Sequence, residues 1–123
     1  MQFALLFKYL EEMRKDEHLA NSDLALLLTL IRRGENAYGV TIASELEAQT
    51  GREAVFARIY AALGRLQQRG LVISSRGEPT AERGGRAKRY FRITGAGLRE
   101  VRDARRPAMN LWTGLSELKG ERA

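Results

Sequence analysis

The chain contains no cysteine. That excludes a disulfide framework, a thiolate metal site and a cysteine nucleophile. It has a single histidine, His18, with no second histidine or cysteine to complete a zinc site. No apolar run approaches the roughly 20 residues that a membrane span needs. The opening Met1 to Lys8 is too short, and charged too soon, for a signal peptide. These absences predict a cytoplasmic protein without membrane, metal or cofactor. Enzymatic constellations are missing too. Ser74 and Ser75 fall in a predicted strand with no paired base. Glu11 and Glu12 read as a solvated helix face. Gly84-Gly85 reads as a hairpin tip, because no strand-to-helix unit surrounds it to make a phosphate loop.

The chain has 123 residues, which is one domain by length. At that size a dimer interface can supply much of the stability. Its positive charge is concentrated. Residues 58–92 carry nine Lys or Arg against two acids, a net of +7 in a chain whose total is +6. A basic balance confined to one stretch is a footprint for a polyanion. The plainer alternative is a solvated basic surface.

That stretch is also the most patterned. Ile59, Ala62, Leu63 and Leu66 repeat at i, i+3, i+4, i+7, the buried face of a helix over Val55–Arg69. Arg58, Ala61, Arg65 and Gln68 repeat at the same period on another face, offering cations, an amide and a small residue to a nucleic-acid groove. Gly70 supplies the left-handed cap that stops the helix. Strands are predicted at Leu71–Ser75 and Lys88–Ile93, around a basic loop from Arg76 to Ala87. In the second strand Lys88, Tyr90 and Arg92 alternate with Arg89, Phe91 and Ile93, so one face is core.

Upstream, residues 2–17 form an amphipathic helix with Phe3, Leu6, Leu10 and Met13 on one face. Asn21-Ser22-Asp23 is N-cap chemistry for a helix over Leu24–Arg33, which is apolar on most sides and expected to be buried. Gly34 ends it. A further helix over about Tyr38–Gln49 turns Val40, Ala43, Leu46 and Ile42 inward. The Thr50-Gly51-Arg52-Glu53 break then makes a helix-turn-helix with the helix from Val55. Downstream, Thr94 caps a long final helix. Gly97, Val101, Ala104, Ala108, Leu111, Leu115 and Leu118 form a heptad seam on it, a predicted dimer interface. Pro107 should kink that helix or divide it.

Placed in this order, the motifs resemble those of the PadR family of bacterial transcriptional regulators. Ala37-Tyr38-Gly39 is similar to the family's Tyr-Gly at the start of its second helix. Ile59 to Leu66 resembles its Tyr-x-x-Leu-x-x-Leu recognition helix. Gly84-Gly85-Arg86-Ala87-Lys88-Arg89-Tyr90-Phe91-Arg92-Ile93-Thr94 resembles its wing, and Thr94-Gly95-Ala96-Gly97 the helix start that follows. The chain departs at Val55-Phe56-Ala57-Arg58, where many relatives carry a Ser-Pro-Gly-Thr type segment.

The resemblance implies a mostly α fold with a small β-hairpin wing. The chain itself divides into an N-terminal helix over 1–20, which is longer than the family pattern requires, a winged helix-turn-helix over 21–94 and a C-terminal dimerisation helix over 95–123. The resemblance also implies a homodimeric repressor that binds a pseudo-palindromic operator in double-stranded DNA. Expected DNA contacts are Tyr38, Gly39, Arg58, Tyr60, Ala61, Arg65, Gln68, Arg83, Arg86 and Lys88. Arg58 and Arg65 suit either guanine edges or phosphates, and Tyr60 either a phosphate or a buried ring with a tethered hydroxyl. Family members often respond to small aromatic effectors. Trp112, with Phe7, Phe3 and Met109, is the candidate ligand surface, and simple packing is its alternative. The competing function is a winged helix used for protein–protein contact; RNA binding is a third, thinner one.

Overall fold

The computed structural model describes residues 4–6, 19–79 and 87–118. Three helices come first: α1 (Asn21–Arg33), α2 (Gly39–Thr50) and α3 (Phe56–Gln68). An antiparallel hairpin follows, β1 (Val72–Pro79) and β2 (Ala87–Ile93), and then α4 (Gly95–Trp112) and a short turn at Ser116–Leu118. This is the expected winged helix-turn-helix. Of the predicted N-terminal helix only residues 4–6 are described, and they are helical; Phe3, Phe7, Leu10 and Met13 lie outside the described residues. No described helix is long and apolar enough to cross a membrane.

The core forms where the periodic faces meet. Leu26, Leu27 and Leu30 of α1, Ile42 of α2 and Ile59, Leu63 and Leu66 of α3 are buried together with Val72 and Phe91 of the hairpin. At the turn between α2 and α3, Gly51 takes a φ of 70° and its N–H reaches the Glu47 carbonyl at 2.9 Å. The Glu47 carboxylate accepts the Ala54 N–H at 2.8 Å, which fixes the approach to α3. The α3 end closes as expected: Gly70 has φ 77°, and the N–H groups of Gly70 and Leu71 bond the carbonyls of Gln67 and Leu66.

Several expectations change. α1 begins at Asn21 with Ala20 as its cap, so Asn21, Ser22 and Asp23 sit inside the first turn. α1 is not buried on most sides: Leu28 and Ile31 are 42% and 43% exposed. Thr29, the polar interruption, is instead buried, and its hydroxyl donates to the Ala25 carbonyl at 2.8 Å. Its own helix thereby satisfies it. On α2, Ile42 and Ala43 point inward while Val40 is 54% exposed. The strands run further than predicted, to Pro79 and from Ala87, with a register shift between Arg76 and Pro79.

The last helix changes most. Thr94 caps it as predicted, its hydroxyl accepting the Gly97 N–H at 3.0 Å. It runs unbroken through Pro107 and ends at Trp112. Thr113 is extended and Gly114 has φ 79°, so Leu115 and Leu118 lie beyond the helix and the heptad seam stops short of them. The seam's first half is also occupied within the chain. Gly97 is buried and Val101 packs against the core.

Two glycines should respond to alanine with opposite signs. A Cβ on Gly97 would collide with the Leu71 carbonyl and the Ile93 side chain. Gly97→Ala should therefore cost about 2 kcal/mol through overpacking. A Cβ on Gly64 of α3 meets nothing within 4 Å, so Gly64→Ala should stabilise by about 0.5–1 kcal/mol. Urea denaturation of both variants reads the two signs.

Candidate nucleic-acid interface

The start of α2 is anchored from three sides. The Phe91 N–H donates to the Ala37 carbonyl at 2.9 Å, and Tyr38 bridges to Tyr90 as a one-residue third strand. The Tyr38 N–H donates to the Thr41 hydroxyl at 3.0 Å, and that hydroxyl lies 2.6 Å from the Asn36 carbonyl. The first bond within the helix is donated by Ile42 to the Tyr38 carbonyl. The N–H groups of Gly39, Val40 and Thr41 precede it, at the positive end of the helix.

Aromatic rings join this helix start to α3 and to the hairpin. Tyr38 meets Tyr90 edge-on, with centroids 5.5 Å apart. The Lys88 ammonium lies 4.4 Å from the Tyr38 ring centre, a cation–π contact that holds the charge beside the helix start. Tyr60 of α3 stacks on Phe56 at 6.5 Å and leans on Phe91 at 6.3 Å. Its hydroxyl sits over Gly39, where any Cβ would collide with it. Tyr60 is 46% exposed, so the buried-ring alternative does not hold. Tyr38, Gly39, Tyr60 and Lys88 thus converge on one small cleft of about 200 Å³, shared with Val40, Phe56 and Arg89. Cations, backbone N–H groups and a phenol directed at one place suit an anion.

The other predicted contacts on α3 fall elsewhere. Ala57, Ala61, Gly64 and Gln68 are exposed along one ridge, opposite the buried Ile59, Ala62, Leu63 and Leu66. Arg58 and Arg65 occupy the flank away from Tyr60. With Ala61 they line an open groove of about 850 Å³ between α3, the first turn of α1 and the end of α2. Arg65 approaches the Asp23 carboxylate at 3.5 Å, while its side chain stays 61% exposed. That is a loose surface pair. Arg83 and Arg86 lie outside the described residues.

A model of the transcriptional regulator PadR-like family matches residues 27–103, more than half of the chain. The chain belongs to the PadR-like family. That is a family of regulators and not of enzymes. No curated protein sequence matches significantly. Among solved structures, a PadR-like regulator from Bacillus cereus is 22% identical, with a TM-score of 0.65 over 89% of this chain and 99% of that one. A PadR family regulator from Eggerthella lenta is 21% identical, with a TM-score of 0.61 over 98% and 97%. Bacillus subtilis PadR, solved in complex with operator DNA, is 24% identical, with a TM-score of 0.59 over 69% of this chain and 47% of that one. At these identities the likeness is one of fold.

On this PadR-like fold the cleft contains Phe56, which sequence reasoning passed over, and Val40, which it turned inward. Phe56 and Val40 are large, apolar and exposed beside Tyr60. An exposed phenylalanine in the first turn of a helix carries no periodic signal, because the face it occupies is decided by neighbouring elements. By alternation Arg89 shares a strand face with Phe91 and Ile93. The core ends at Phe91, and Arg89 is exposed.

The contact between Gly39 and Tyr60 makes a suppressor pair. Gly39→Ala should lower Tm, because the new Cβ displaces the Tyr60 hydroxyl. Adding Tyr60→Phe, which removes that oxygen, should recover most of the loss. Thermal unfolding of the single and double variants measures this, and additive losses would contradict the geometry.

Proposed function

We propose that this chain is a sequence-specific DNA-binding regulator that acts as a homodimeric repressor on a pseudo-palindromic operator. The observation that carries this reading is the outward ridge of α3. Ala57, Ala61, Gly64 and Gln68 are small or amide-bearing and exposed, with cations on both sides. A ridge of small residues lets a helix seat deeply in a major groove. Gln68 and Ala61 would meet base edges there. Arg58 and Arg65 on one flank, and Tyr60 with Lys88 on the other, would meet the two backbones. The Tyr38–Gly39 helix start would hold a phosphate on its free N–H groups. Arg83 and Arg86, from the basic stretch of the sequence between β1 and β2, would add contacts of the same kind. The fold shared with B. subtilis PadR, solved with operator DNA, supports this docking.

Homodimerisation is supported by apolar surface left open on the chain. Leu28 and Ile31 of α1, Met109 and Leu111 of α4, and Leu115 beyond it are all exposed. With Ala108 and half-buried Ala104 and Leu118, they offer a second copy an apolar face. Two-fold pairing would place two α3 helices in successive major grooves, roughly 34 Å apart. A small aromatic effector would stack on Trp112, 67% exposed, beside Met109. Phe7, the third residue of that surface, lies outside the described residues.

Two measurements test this reading. Fluorescence anisotropy on a duplex from the gene's own upstream region should show binding that resists an unrelated competitor and saturates at two chains per duplex. No binding even at low salt would leave the protein–protein module in its place. Trp112 is the sole tryptophan, so its fluorescence should change with a planar aromatic ligand. An unchanged signal across a panel of such compounds would remove the effector site.

A further inference from the structure

On the hairpin, Arg76 of β1 stands directly opposite Arg89 of β2. Both are exposed. Like charges directly opposed across an antiparallel pair destabilise it. The ion pairs among the described residues are Arg33–Glu45 and Arg65–Asp23, and no described carboxylate lies at ion-pair distance from either hairpin guanidinium. Glu78 is near in sequence, but the register shift between Arg76 and Pro79 takes it out of the ladder.

Arg89 is nonetheless held in place. Its Nε and NH2 groups both donate to the Ser74 hydroxyl, at 3.4 and 3.2 Å. Ser74 pairs with Phe91, so Ser74, Arg76, Arg89 and Phe91 share one face of the hairpin. That face begins in the core, where Phe91 meets Tyr60. It ends in two guanidiniums, one of them oriented, without an anion from the described chain between them. Arg89 also borders the cleft formed by Gly39, Tyr60 and Lys88.

We propose that Arg76 and Arg89 together clasp one backbone phosphate of bound DNA, with Ser74 as the positioning residue for Arg89. The proposal rests on the DNA-binding reading above and deepens it. It adds a contact on the paired strands of the hairpin. A phosphate between the two arginines turns their mutual repulsion into two charge-assisted attractions, and a guanidinium's forked donors match phosphate oxygens. The clasp therefore costs the free protein some stability and returns it on binding.

The test uses the full chain and a mixed-sequence duplex, because phosphate contacts do not need an operator. Anisotropy over a salt series compares wild type, the Arg76→Ala/Arg89→Ala double variant and a control, Arg102→Ala/Arg105→Ala on α4, which removes the same charge elsewhere. The clasp predicts that the salt slope of the double variant falls in magnitude by about 0.9, one phosphate's worth, while the control keeps its slope. Ser74→Ala should weaken binding several-fold, and Ser74→Thr, which retains the hydroxyl, should restore it. In the free protein Arg76→Ala should raise Tm by roughly 1–4 °C as the repulsion is relieved. An unchanged slope in the double variant, an equal loss in the control, or a lowered Tm for Arg76→Ala would each overturn the clasp. If wild type itself binds no duplex at low salt, the DNA-binding reading falls and the clasp with it.

Discussion

The hydrogen bond from the Phe91 amide to the Ala37 carbonyl, at 2.9 Å, is the joint on which the surface described above depends. It links two segments far apart in the chain. Through it β2 is tied to the residues that start α2. The Phe91 side chain is buried in the core on the same strand, so the joint cannot slip without exposing that ring. A one-residue slip would also turn every hairpin side chain to the opposite face. The start of α2, α3 and the hairpin are therefore held as one surface, with Tyr38, Tyr60 and Tyr90 as its packing.

The same joint divides the hairpin's two faces by task. One face carries Val72, Ser74, Phe91 and Ile93 toward the helices. The other carries Ile73, Tyr90 and Lys88, and Gly77 has no side chain because the Tyr90 ring lies against it. Cations lie on both faces, Arg76 and Arg89 on the first and Lys88 and Arg92 on the second. Exposed apolar side chains lie on α1 and on the second half of α4, and also at Val40, Phe56 and Ile73.

Much of the architecture was legible in the sequence. The buried face of α3 was read residue for residue, since Ile59, Ala62, Leu63 and Leu66 obey a strict period. The Gly70 cap, the Thr94 cap and the pairing of the strands followed from local chemistry. α1 was less legible, because a run of leucines and isoleucine has no periodicity to show which side faces out. The end of α4 was misread for a related reason. The apolar spacing continues through Leu115 and Leu118, but the backbone leaves the helix at Thr113 and Gly114. Spacing alone does not show whether the intervening residues stay helical.

Local pattern along the chain carried the elements, their order and the basic stretch. These follow from period, capping and composition, which are properties of neighbours along the chain. Tertiary structure decided which flank of α3 each candidate side chain occupies. Tyr60 joins Gly39 and Lys88, while Arg58 and Arg65 turn to the groove beside α1. It also brought Arg76 and Arg89 into opposition with Ser74 beside them. Those relations depend on strand register and on the angle at which helices pack. Both are set by contacts between residues tens of positions apart, which leave no periodic trace in the chain.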